Sequence, residues 1–62
     1  MIYQWNGLSL RVEFYHGYNT QMTATNTDTG EMVAYDMHRE NNEEWVLNRL
    51  LPEAFEYFGR AR

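Results

Sequence analysis

YQWNGLSLRVEF, residues 3–14, decides the fold. At its centre Asn6-Gly7 separates two apolar-rich runs, and a two-residue type I′ turn needs positive φ at both central positions, which asparagine and glycine tolerate best. The turn sets Trp5 opposite Leu8, Tyr3 opposite Leu10 and Met1 opposite Val12. The second run then alternates, with Leu8, Leu10, Val12 and Phe14 on one face and Ser9, Arg11, Glu13 and Tyr15 on the other, the period of a half-buried strand.

Working outward, His16-Gly17-Tyr18 reads as a second turn. A two-residue loop would put Met22 opposite Arg11. A three-residue loop puts Met22 opposite Val12 and Ala24 opposite Leu10, so the apolar pattern selects three residues. A third turn, Thr27-Asp28-Thr29-Gly30, suits a four-residue type I connection closed by glycine and brings Val33, Tyr35 and Met37 to the face of Met22 and Ala24. The expected sheet is a four-stranded antiparallel meander over about 1–5, 8–15, 20–27 and 31–37.

Asn41-x-x-Glu44 resembles a capping box and predicts a helix over about 42–58. Trp45, Leu47, Leu50, Leu51, Ala54, Phe55 and Phe58 recur at three-to-four spacing, an apolar stripe for one face of the sheet. Pro52 has no amide for the Asn48 carbonyl, which predicts a kink or a split into two helices. Gly59 predicts the stop, with Arg60-Ala61-Arg62 as a tail. The class is α+β, and residues 1–62 make a single small domain.

A chain of 62 residues buries a small core. It contains no cysteine, so disulfides cannot supplement that core, and its ten aromatic residues (16%) must carry much of the apolar burial. Residues 1–20 hold no continuous apolar run, which predicts neither a signal peptide nor a membrane span. With the lack of cysteine, this leads to the expectation of a cytoplasmic protein.

Nine acidic residues face five arginines and no lysine, for a formal charge of −4. Between residues 28 and 44 the acids Asp28, Glu31, Asp36, Glu40, Glu43 and Glu44 are opposed only by Arg39. Direct nucleic-acid binding is disfavoured, because affinity for phosphates comes from clustered lysine and arginine. Tyr15 and Arg11 on the outer sheet face are too sparse to stack and neutralise single strands. Thr23, Thr25 and Thr27 make a row on that face, as good strand formers that tolerate water.

No catalytic arrangement emerges. His16 has no nearby nucleophile, Glu13 has no second carboxylate to share acid–base work, and so short a chain rarely encloses a pocket. Asp36, His38 and Glu40 alternate and offer oxygen, nitrogen and oxygen donors, but three such residues on a solvated strand end, without supporting groups, do not define a metal site. No enzyme activity, cofactor or metal is expected.

In size, acidity and lack of cysteine the chain resembles phage-encoded inhibitors such as anti-CRISPR proteins and DNA-mimicking glycosylase inhibitors, a likeness of class carried by no motif. The resemblance implies a non-enzymatic inhibitor or accessory protein that occludes a basic, nucleic-acid-handling surface on a target protein. The expected contacts are Asp28, Glu31, Asp36, Glu40, Glu43 and Glu44, with Tyr35 or Trp45 as aromatic anchors. The alternative is a homodimer paired through the outer sheet face or an edge strand, motivated by Ile2, Met32 and Ala34 and by strand 31–37.

Overall fold

The computed structural model describes residues 1–37 and 42–60. Four strands, β1 (Ile2–Trp5), β2 (Leu8–Tyr15), β3 (Thr20–Asn26) and β4 (Met32–Met37), form one antiparallel sheet in the order β1-β2-β3-β4, and α1 (Glu43–Arg60) packs on one face.

The first hairpin has the expected register, with Trp5 opposite Leu8 and Tyr3 opposite Leu10. Asn6 and Gly7 both take positive φ, 50° and 78°. Residues 27–30 make the expected four-residue connection: the Gly30 amide donates to the Asn26 carbonyl at 2.8 Å, and Gly30 has φ of 80°. Asn26 Oδ1 accepts from the Asp28 amide at 2.9 Å, so its buried side chain is satisfied inside the turn.

The second connection corrects the sequence reading. Val12 lies opposite Ala24, Phe14 opposite Met22 and Tyr15 opposite Gln21, so five residues, 16–20, lie between the last paired positions of β2 and β3 instead of three. A slide of two residues leaves every side chain on its own face, so alternation cannot distinguish the two registers. The observed pairing sets Phe14 against Met22 and Val12 against Ala24. It also buries Thr20 on the inner face, where its Oγ1 lies 3.4 Å from His16 Nδ1.

Helix α1 is one continuous element with Pro52 inside it, not two helices, and it runs through Gly59 to Arg60. Arg60 pairs with Glu56 one turn earlier and places a cation at the negative end of the helix dipole, both of which support the last turn. Asn41 lies outside the described residues. The observed cap is Asn42, whose Oδ1 accepts from the Trp45 amide at 3.1 Å. Along the helix Val46, Leu50, Ala54, Phe55 and Phe58 are buried with Leu8, Leu10, Val12, Met22 and Ala24, while Leu47 and Leu51 pack at the margin. Trp45 is 46% exposed and Val46 is fully buried, the reverse of the expectation for the first turn. An 18-residue helix is wide enough to cover only part of a four-stranded sheet, and its packing falls on β2, β3 and β4. The inner face of β1 meets it mainly where the Trp5 ring stands edge-on to Phe55, centroids 5.8 Å apart.

Candidate interaction surface

The meander and the helix direction decide where the acidic residues go. Strand β4 leaves the turn that holds Asp28 and Glu31, and α1 returns toward that turn, so Tyr57 near the helix end reaches Glu31. Glu43 and Glu44 sit at the opposite end, beside the 16–20 connection, where His16 Nε2 meets Glu43 Oε2 at 2.6 Å. Tyr57 lies fourteen positions along the helix from Glu43, about 21 Å at 1.5 Å per residue. The expected acidic contacts therefore divide into two groups and do not form one patch.

Asp36 adds to neither group. It is exposed on β4 opposite Gln21, on the face of the sheet away from Tyr35. Glu40, and His38 of the alternating donor set, lie outside the described residues. Asp28 is at the exposed tip of the turn preceding Glu31. Trp45 is exposed as an anchor would be, but the Arg49 guanidinium lies 5.5 Å from its ring centroid and occupies that face. With His16 engaging Glu43, the helix start is already partnered within the chain.

The other group has a shape. Tyr35, Glu53, Glu56, Tyr57 and Arg60 line an open hollow of about 570 Å³ between β4 and the end of α1. At its edge the Tyr57 hydroxyl donates to Glu31 Oε2 at 3.2 Å. Tyr57 also stands edge-on to the buried Phe58, centroids 5.1 Å apart, which limits how its ring can turn. Burial, then the Glu53 carboxylate, then Tyr57, raise the pKa of Tyr35 above the ordinary tyrosine value of 10.0, so its phenol remains neutral. The Tyr35 and Tyr57 rings stand beside the carboxylates of Glu31 and Glu53, while on the rim Glu56 is paired with Arg60.

That arrangement suits a guanidinium or ammonium group, which can lie on a tyrosine face while carboxylates accept its hydrogen bonds. Sequence reasoning named Glu31 and Tyr35. It missed Glu53, Glu56 and Tyr57, although Glu53 and Tyr57 are four residues apart on one helix face and that spacing was open to inspection.

A second concavity, about 670 Å³, opens between β1 and α1 along Tyr3, Trp5, Leu47, Leu51, Pro52 and Phe55. It is apolar where the first is acidic. On the outer sheet face the threonine row is uneven, because Thr23, between Glu13 and Ala34, is buried and Thr27 belongs to the turn, its amide bonded to the Ser9 carbonyl. No helix among the described residues is long and apolar enough to cross a membrane. Comparison with protein families, with curated proteins and with solved structures gives no match to this chain.

Proposed function

We propose that this protein is a non-enzymatic binding module, a small acidic inhibitor or accessory protein that occludes a basic surface on a target protein, of the kind that otherwise holds nucleic acid. The observation that carries the reading is the hollow between β4 and α1, where Tyr35 and Tyr57 stand beside Glu31 and Glu53, with the Glu56–Arg60 pair on its rim. An arginine or lysine from the partner would be desolvated against the two rings and neutralised by the carboxylates. Aromatic anchors ringed by charge concentrate binding energy in a small area.

The wider charge layout supports the same partner chemistry. All eight acids among the described residues are exposed, and the formal charge is −4. Such a field steers a basic partner toward the molecule and speeds encounter. The lack of cysteine suits a reducing cytoplasm, which is where the reading puts the protein.

The test compares the wild type with the Glu31→Lys/Glu53→Lys double variant in affinity capture from host-cell lysate, with nuclease, at low and high salt. A stoichiometric partner that survives nuclease, weakens with salt and is lost by the variant is expected. Capture that the variant leaves intact, or that nuclease abolishes, contradicts the reading.

A further inference from the structure

We propose that the free edge of β1 is a self-recognition surface, and that a second copy of this chain pairs with it antiparallel about a two-fold axis at Tyr3.

The pattern of backbone bonding sets the register. The Val12 amide donates to the Met1 carbonyl at 2.9 Å, so Met1 and Val12 form a hydrogen-bonded pair. Such pairs alternate along an antiparallel ladder, which makes Tyr3–Leu10 and Trp5–Leu8 the next two and turns the amide and carbonyl groups of Ile2 and Gln4 away from β2. Strand β1 lies at one end of the sheet order, so these four groups face outward from the edge. A two-fold axis at Tyr3 pairs Ile2 of one copy with Gln4 of the other and satisfies all four, twice over, in one continuous eight-stranded sheet.

The self-complementary register about Tyr3 fits a copy as occupant, and charge selects β1 over β4 as the edge. Two chains of charge −4 repel unless they meet where charge is absent. Residues 1–5 contain no acidic or basic side chain. The groove behind β1, along Tyr3, Trp5, Leu47, Leu51, Pro52 and Phe55, has a single acid on its border, Glu56, already paired with Arg60. The opposite edge, β4, carries Asp36 and adjoins the hollow with Glu31 and Glu53, so pairing there would bring two negative surfaces together.

Edge strands are ordinarily guarded by charge, proline or a bulge. β1 carries neither charge nor proline and pairs without a bulge, and its Ile2 and Trp5 are 58% and 57% exposed. In the paired form the inner-face residues Tyr3 and Trp5 of both copies meet beneath the joined strands, and the two apolar grooves face each other across the axis.

The test is sedimentation of the wild type from about 1 μM to about 1 mM, since self-association depends on concentration, together with three variants. Gln4→Pro removes an outward amide at an edge position that tolerates proline, and it is expected to abolish dimerisation with the sheet circular dichroism unchanged. Tyr3→Cys places the only two thiols of the assembly across a non-hydrogen-bonded pair, with Cα atoms about 4.5 Å apart, within disulfide range. It is expected to cross-link under oxidised glutathione, whereas Ala34→Cys at the centre of β4 does not. A wild type that stays monomeric throughout overturns the proposal. So does a dimer that cross-links through Ala34→Cys and not through Tyr3→Cys, a result that stands even if Gln4→Pro fails to fold.

Discussion

The Tyr57 hydroxyl donates to Glu31 Oε2 across 3.2 Å, joining residues 26 apart in sequence and closing the end of α1 onto the turn before β4. Both groups are exposed. The bond should therefore orient a surface more than it stabilises the fold. In a double-mutant cycle with Tyr57→Phe and Glu31→Gln, the coupling is expected below about 1 kcal/mol. A larger coupling would show that the contact holds the helix in place.

Tyr35 gives the protein an alkaline signature. Its folded pKa lies above the unfolded value near 10.0 because of burial first, then Glu53 and Tyr57. As pH rises past the unfolded value, the unfolded chain loses this proton while the folded chain keeps it, so stability present at neutral pH is lost as pH climbs through the folded value. Tyr35→Phe should flatten that decline in denaturant midpoints measured between neutral and strongly alkaline pH. An equally steep decline in the variant would assign the effect to other groups.

The first turn of α1 separates capping and packing. Asn42→Ala removes the acceptor for the Trp45 amide and should cost about 1 kcal/mol. Phe58→Ala, at a side chain only 2% exposed, should cost about 3–5 kcal/mol. A 62-residue domain has roughly 3–9 kcal/mol of total stability at typical values per residue, so Phe58→Ala should leave the fold marginal or lost. Thermal melts of both variants decide it, and a Phe58→Ala midpoint near wild type would contradict the observed core.

Pro52 lies inside a continuous helix and withholds a donor from the Asn48 carbonyl. Pro52→Ala restores that donor and should stabilise the fold, by up to about 3 kcal/mol at the helix-interior cost of proline. An unchanged or lowered midpoint would mean that packing of the ring along the β1–α1 groove outweighs the missing bond.

Most of the fold was legible because its turns carry local chemistry. Asn6-Gly7 fixed one register outright, since only one loop length satisfies two consecutive positive φ angles, and Gly30 closed another turn in the same way. The 16–20 connection has no such signal, and alternation is blind to a slide of two residues. At the helix start two adjacent asparagines offered caps one residue apart. Spacing alone admitted Trp45 to the stripe, whereas the line Val46, Leu50, Ala54, Phe58 at four-residue steps is the one that packs, and Trp45 stays at the surface. The hollow between β4 and α1 was half legible. Glu31 and Tyr35 lie in one sequence segment, but Glu53 and Tyr57 join them only through the packing of α1 on the sheet, which no spacing within 28–44 encodes. The two-end division of the acids is likewise a product of topology: Glu31 and Glu43, twelve residues apart in the chain, are carried to opposite ends of the molecule, and Asp36 to the other face of the sheet.

Docking of a basic partner between β4 and α1 is tested by following backbone amide resonances of the labelled protein during titration with a short arginine-rich peptide at low salt. Shifts are expected to concentrate at Glu31, Tyr35, Glu53 and Tyr57, to be reversed by added salt and to be absent from the Glu31→Lys/Glu53→Lys variant. Shifts centred on Glu43, Glu44 and Trp45, or spread evenly over all exposed acids, would contradict it.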